Sequence, residues 1–274
     1  MSGLRILDGP MGTELNARGV PTPLPGWSAH ALETHPSVVQ EIHRDYARAG
    51  AGIHCTNTFR THARQFPDTW RELTSQAVAL ARAGLEGFDG CLAGSISPLE
   101  DCYHPELSPK HSRPEHKAMA RALCDLGVDL LLVETFSHAG EALIAVQESI
   151  ETGLPTWLSM SAGPDTDLLS VEEIRSVSES AIRLGVEAVM LNCIPAASVA
   201  AYLEGIRDLG VPFGAYANAG FADEASGWKP INLDPRDYAQ MATGWIAQGA
   251  SILGGCCGTS IDHTRVLCTL SGNS

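Results

Sequence analysis

Short apolar runs rich in β-forming residues alternate with amphipathic stretches along the whole chain. Apolar residues recur at helical spacing in the amphipathic stretches, whereas the runs between them are too short for helices. The runs that predict strands are residues 4–8, 52–57, 91–97, 129–135, 156–162, 188–193, 212–218 and 251–256. The stretches that predict helices are residues 36–49, 69–86, 114–126, 139–152, 171–184, 196–209 and 235–248, with a last helix from Ser260.

This alternation predicts an α/β fold, a single (β/α)8 TIM barrel spanning residues 1–274. Residues 130–133 read Leu-Leu-Leu-Val, apolar without alternation, as in parallel strands that are covered on both faces. A doubly wound open sheet is the alternative. No GxGxxG motif follows the first strand, which disfavours the dinucleotide-binding form of that sheet.

Composition and charge narrow the choice of function. With 44% apolar and 18% charged residues, the 274-residue chain can bury a sizeable core. The net charge of −14, from 18 basic and 32 acidic residues, argues against a nucleic-acid partner. The sequence shows neither a signal peptide nor an apolar run of about eighteen residues, so we expect a cytoplasmic protein without a membrane span.

Three of the eight cysteines stand at the predicted carboxyl ends of strands, where barrel enzymes carry their chemistry. Cys193 ends the sixth strand, and Cys256 and Cys257 follow the eighth. Glycines on both sides of the adjacent pair allow the backbone to bend, so that both sulfurs can reach one point. Three thiolates suit a soft or borderline divalent metal, and zinc with one open coordination position is the expected occupant.

The other cysteines fit plainer roles. We expect core packing for those that lie in strand or helix patterns, because a single buried cysteine behaves as a small apolar residue. A disulfide between the adjacent Cys256 and Cys257 is disfavoured by strain and by a reducing compartment. The cysteines expected to be core residues or plain thiols are Cys55, Cys91, Cys124, Cys268 and, in a loop, Cys102.

Five segments, in this order, resemble the homocysteine S-methyltransferase family over nearly the whole chain. The closing Gly-Gly-Cys-Cys-Gly-Thr is the most specific of them. The segments are Ile-Leu-Asp-Gly-Pro-Met-Gly-Thr-Glu-Leu at 6–15, Thr-Asn-Thr-Phe at 56–59, Val-Glu-Thr at 133–135, Leu-Asn-Cys at 191–193 and Gly-Gly-Cys-Cys-Gly-Thr at 254–259.

The resemblance implies a (β/α)8 barrel in which Cys193, Cys256 and Cys257 bind zinc. It also implies that Asp8 and Glu134, at the ends of strands one and four, bind the amino group of homocysteine. Paired carboxylates suit an ammonium ion because buried charges need partners.

Two further roles follow for the same site. The backbone amides of the turn that starts at Gly9 are candidates for the substrate carboxylate. Asn192 is a candidate to orient the metal site or the substrate through hydrogen bonds.

The expected reaction is methyl transfer from a sulfonium donor, S-methylmethionine or S-adenosylmethionine, to the thiol of homocysteine, giving methionine. One alternative is a betaine-dependent enzyme, and another is a barrel with a structural or sensory zinc site and no methyl transfer. The expected partners are therefore homocysteine and a cationic methyl donor, and the oligomeric state stays open.

Aromatic faces could hold a cationic donor. Four of them lie in or near the expected carboxyl-end loops, although core packing is the expected role of any single one. They are Phe59, Trp157, Tyr216 and Trp228.

Overall fold

The computed structural model describes residues 3–223, 227–230 and 233–271, with the backbone alone described at 220–223 and 227–230. Eight strands form one sheet in the order β1-β10-β7-β6-β5-β4-β3-β2, and every pair in it is parallel. The strands are β1 (Arg5–Ile6), β2 (Ile53–Cys55), β3 (Cys91–Ile96), β4 (Leu130–Phe136), β5 (Thr156–Met160), β6 (Ala188–Pro195), β7 (Phe213–Asn218) and β10 (Ile252–Gly255).

The two ends of this sheet meet and close it. Leu7, just after β1, pairs in parallel with Ile53 of β2. The Asp8 amide donates to the Ile53 carbonyl at 2.8 Å, and the Gly52 amide donates to the Ile6 carbonyl at 2.9 Å. The predicted (β/α)8 barrel is therefore confirmed, and the open sheet is excluded.

Helices cover the outside of the barrel, and their apolar faces pack on the sheet. Pro36 begins α3 and Gly50, in the left-handed conformation, ends it, while Ser170 and Glu173 form a capping box at the start of α7. The helices are α1 (Met11–Ala17), α2 (His30–Thr34), α3 (Pro36–Ala49), α4 (Trp70–Gly84), α5 (Arg113–Asp125), α6 (Ala139–Ile150), α7 (Val171–Leu184), α8 (Val199–Ile206), α9 (Pro235–Ala247) and α10 (Ile261–Ser271).

Side chains from every barrel strand fill the interior. Leu7, Ile53, Leu132, Met190 and Ile252 belong to this inner cluster, which the sheet separates from the larger core under the helices. Alternate residues of each strand face the two cores, as the two-residue period of a strand requires. The barrel is thus a packed core, and its site is built at one end.

Four of the described helices and strands were not predicted. Helices α1 and α2 are short, and the antiparallel pair β8 (Gly220–Asp223) and β9 (Gly227–Pro230) extends beyond β7. Within the part of the chain that the structure describes, no helix has the length and apolar character needed to cross a membrane.

Candidate metal and substrate site

The three predicted metal ligands come together at the carboxyl end of the barrel. The sulfur atoms of Cys193, Cys256 and Cys257 lie within 4.8 Å of one another. Cys193 and Cys256 are in direct sulfur contact, as in a disulfide, with their Cα atoms 5.7 Å apart. Cys257 is a free thiol, so the vicinal disulfide is not formed.

An irregular turn of β6 directs Cys193 toward the other two cysteines. Its φ of 53° lies in the left-handed region, which a residue with a Cβ adopts at a cost of about 1–3 kcal/mol. The pairing of β6 with β7 shifts register between Asn192 and Pro195, on either side of this residue. Backbone strain at this position is typical of functional sites.

The loop after β10 holds the adjacent pair. The Cys256 amide donates to the Ala217 carbonyl at 2.8 Å, and the Thr259 hydroxyl donates to the Cys256 carbonyl at 2.8 Å. A Cβ at Gly255 would lie 2.2 Å from the Thr259 hydroxyl oxygen, so only glycine allows the loop to bring Thr259 this close to residue 255.

The donor set fits a thiophilic metal ion. Cys257 is 4% exposed, and burial raises the pKa of its thiol to about 12, so its thiolate needs a cation close by. Asn218, buried at the end of β7, faces the Tyr103 hydroxyl, and its amide makes no other hydrogen bond to a described residue. Clustered sulfurs beside a poorly satisfied buried amide are consistent with a bound ion.

Asp8 lies just after β1 and is buried. Its Oδ2 accepts a hydrogen bond of 3.1 Å from the Cys55 amide of the neighbouring strand. Burial raises the pKa of the Asp8 carboxyl well above its ordinary value, and the negative charge of Glu134 raises it further. Such a carboxylate gains stability from a cationic partner.

Glu134, near the end of β4, is held by two hydroxyl groups. Ser95 donates to Oε1, and Tyr216 donates to Oε2 at 2.9 Å. Burial raises the pKa of Glu134, while both hydroxyl donors lower it and favour the carboxylate. Glu134 and Asp8 are close enough for the charge of Glu134 to act on Asp8.

Asn192 is fully buried and joins three strands. Its Oδ1 accepts from the Thr135 amide at 3.1 Å and from the Ser159 hydroxyl at 2.8 Å, and its Nδ2 donates to the Thr135 hydroxyl at 2.6 Å. Thr135, like Cys193, has a positive φ, here 64°. Asn192 therefore connects the strand end that carries Glu134 with the one that carries Cys193.

Gly9 stands between Asp8 and helix α1. A Cβ at this position would lie 2.6 Å from the Tyr46 hydroxyl oxygen, which excludes larger residues. The Gly9 amide donates to no backbone carbonyl of the described residues. The turn is therefore free to donate to a ligand, as its predicted role requires.

Among the aromatic candidates, the placement of Trp157 was wrong. Trp157 lies near the amino end of β5, under the Arg5 guanidinium at 4.5 Å, and lines a cavity of about 310 Å³ at the opposite end of the barrel. Phe59 packs edge-on against Trp27 with ring centroids 6.1 Å apart. The side chain of Trp228 lies outside the described residues.

Sequence reasoning missed several neighbours of the carboxylates. Cys55 packs against the inner cluster as expected, but its backbone amide also donates to Asp8 Oδ2. His43 and His54 lie beside the same carboxylate. Neither histidine belongs to a recognisable motif, and their positions on the buried face of α3 and on β2 were the one available signal.

The chain is similar to known proteins over most of its length. A family model described as homocysteine S-methyltransferase matches residues 5–270. Homocysteine S-methyltransferase from Escherichia coli is 31% identical over 288 residues, covering 93% of this chain and 91% of that protein. A mouse S-methylmethionine–homocysteine S-methyltransferase is 28% identical over 272 residues, covering 88% of this chain and 71% of that protein.

Solved structures agree as well. The metallated form of the Escherichia coli homocysteine methyltransferase MmuM superimposes with a TM-score of 0.79 and 26% identity, covering 98% of this chain and 96% of that one. The chain belongs to the homocysteine S-methyltransferase family.

Proposed function

We propose that this protein transfers a methyl group from a sulfonium donor to the sulfur of homocysteine, with zinc held by Cys193, Cys256 and Cys257. The convergence of the three sulfur atoms within 4.8 Å is the observation that carries the proposal. The same end of the barrel holds Asp8 and Glu134, and the charge of Glu134 acts on the Cys257 thiol.

The cysteines would supply a sulfur-rich site, which suits zinc. Bound zinc would keep a substrate thiol in its nucleophilic thiolate form at neutral pH, where a free thiol is mostly protonated. Two backbone features form this site: the strained left-handed conformation of Cys193 and the bend that the glycine before Cys256 allows. Asn192 holds the strand end next to Cys193 in place.

The amino acid part of the substrate would bind between strands one and four. Asp8 and Glu134 present carboxylates to its ammonium group, and Ser95 and Tyr216 keep Glu134 oriented by hydrogen bonds. The Gly9 amide is available for the substrate carboxylate. This binding would place the thiol at a fixed distance from the cysteines, which favours attack on a bound donor.

A cationic methyl donor agrees with the charges at this end of the barrel. The net charge of −14 attracts cations. The mouse relative, an S-methylmethionine–homocysteine S-methyltransferase, supports a sulfonium over betaine. Attack on a sulfonium methyl group removes charge from both reactants, so the buried surroundings favour the transition state.

The test combines metal analysis with donor screening. Purified wild-type protein and Cys256→Ala are loaded with zinc, and methionine formation from homocysteine is measured with S-methylmethionine, S-adenosylmethionine and betaine. We expect about one zinc per wild-type chain, activity with a sulfonium donor, and loss of both in the variant.

Cys268→Ala is the matched control, because Cys268 is a half-buried cysteine of α10 outside the site. It should keep zinc and activity. Zinc retained by Cys256→Ala with unchanged methionine formation would reject the proposed site. Activity with betaine alone would show that betaine, and not a sulfonium compound, is the donor.

A further inference from the structure

Two buried histidines lie beside the Asp8 carboxylate, between β2 and α3. The Nδ1 atom of His54 is 3.9 Å from Asp8 Oδ2, and the Nδ1 atom of His43 is 4.0 Å from the same oxygen. Both imidazole rings are fully buried. The proposed reaction gives neither of them a role.

This cluster contains several polar atoms whose hydrogen-bonding capacity is unused. Both ring nitrogens of His43, Nδ1 of His54 and the Tyr46 hydroxyl are buried and have no hydrogen-bond partner among the described residues. Each such atom costs about 1–3 kcal/mol. Native proteins keep groups of this kind where a proton, a water molecule or an ion has a function.

The protonation of His54 follows from its other nitrogen. Its Nε2 lies 3.0 Å from the Ala51 carbonyl oxygen, which can only accept a hydrogen bond. Nε2 therefore carries the hydrogen of the neutral ring, and Nδ1 is left as an acceptor 3.9 Å from Asp8 Oδ2. Two acceptors face each other in a buried place, and a proton on either one removes the repulsion.

We propose that the Asp8–His54 pair holds one proton in the substrate-free protein, and that an ammonium group binding at Asp8 displaces this proton to solvent. The inference rests on the proposed function, which places the α-ammonium of an amino acid at Asp8. The exchange conserves buried charge, because one positive charge enters as one leaves. His54 is thus a positioning residue that keeps Asp8 ready without leaving an unpaired buried carboxylate.

The buried environment favours protonation of the Asp8 carboxylate over protonation of His54. Burial raises the pKa of Asp8 well above its ordinary value, whereas burial lowers the pKa of His54 to about 4 and that of His43 to about 3. The other titratable groups that face or act on this cluster are Cys55 on β2, Tyr46 on α3, Glu134 on β4 and, through Tyr46, Glu14 and Arg18.

A metal ion is the competing occupant, because two histidines and a carboxylate can bind one. A divalent ion on Asp8 would neutralise the carboxylate and repel the ammonium that Asp8 is proposed to bind. A proton can leave when the ammonium arrives, so a proton on the pair is compatible with the substrate role of Asp8.

Calorimetry with L-methionine measures the exchange directly. Methionine has the same amino acid group as homocysteine but no thiol proton, so any proton released comes from the protein. Titrations of zinc-loaded protein in buffers of different ionisation enthalpy give the number of protons released. Below the Asp8 pKa we expect about one proton to be released per methionine bound. The affinity for methionine should then fall about tenfold for each unit by which the pH is lowered.

His54→Asn is the decisive variant, because an Asn amide can donate N–H to Asp8 and keep the carboxylate ionised. Proton release should fall to near zero, and the pH dependence of affinity should flatten. His116→Asn is the control: His116 is also buried against a carboxylate, that of Glu141, at 3.0 Å, and this variant should behave as wild type.

Equal proton release in wild type and His54→Asn overturns the proposal, as does binding without proton release. If wild type binds a second metal ion that His54→Asn does not bind, a metal cation occupies the cluster, and the proposal is likewise overturned. Failure of methionine to bind would count against the amino acid site of the proposed function instead.

An infrared pH titration of the free protein shows, without any ligand, whether Asp8 carries the proton. The carboxylic acid band that Asp8→Asn removes should be present near neutral pH in wild type and absent in His54→Asn. An unchanged band in His54→Asn would overturn the proposal.

Discussion

Asn192 and Thr135 are joined by two hydrogen bonds, because the Asn192 amide accepts from the Thr135 backbone and donates to its hydroxyl. Each residue lies at an irregular strand end, one next to Cys193 and the other next to Glu134. The pair therefore fixes the metal half of the site relative to the amino acid half. Neither half could shift without breaking buried hydrogen bonds.

Asn192→Ala should lower the free energy of unfolding by about 3 kcal/mol, since it leaves the Thr135 and Ser159 partners unsatisfied. Methionine formation should fall at least about tenfold through misplacement of both halves. Chemical denaturation and steady-state kinetics measure the two effects. Asn16→Ala removes an exposed amide hydrogen-bonded to Thr22 and is the control, with an expected change within about 0.5 kcal/mol.

Glu134→Gln should raise stability at neutral pH while it weakens amino acid binding. Because burial raises the folded-state pKa of Glu134 above that of the unfolded chain, the folded state binds more protons, and stability is lost as pH rises through that pKa. The neutral amide removes this cost, so the melting temperature should exceed that of wild type at pH 7 and the difference should shrink toward acid pH.

Homocysteine binding to Glu134→Gln should be about tenfold weaker or worse, because a charge-assisted contact is lost. Glu33→Gln alters an exposed glutamate and should change neither quantity. A variant that melts below wild type at pH 7 would show that the Glu134 carboxylate stabilises the fold.

Gly9→Ala should destabilise the protein by about 2 kcal/mol, because the new Cβ would lie 2.6 Å from the Tyr46 hydroxyl oxygen. The turn would have to move, and substrate binding should weaken with it. Thermal denaturation and KM for homocysteine are the measurements. Gly52→Ala meets no atom within 4 Å and should leave both nearly unchanged.

Much of the fold could be predicted from the sequence because each barrel strand is an apolar run followed by an amphipathic helix. Leu130 to Val133 illustrates this, since both faces of β4 are buried, one in the barrel and the other under helices. Helices α1 and α2 were missed because they have seven and five residues, too short for a helical period to show.

The side chains around the site were harder to predict. Trp157 was placed at the carboxyl end of the barrel because the exact bounds of its strand were not known. It is the second residue of β5 and therefore lies near the amino end. Cys55 packs in the inner core as predicted, but its contact with Asp8 was missed because it depends on the closure of the first strand against the second. Contacts of this kind arise from the three-dimensional pairing of strands and leave no local pattern.

X-ray absorption at the zinc edge tests the central claim most directly. Zinc-loaded protein should show three sulfur neighbours from Cys193, Cys256 and Cys257, and added homocysteine should raise the number to four. Four protein ligands that stay unchanged on addition of homocysteine would contradict the account, because the site would then be closed and structural.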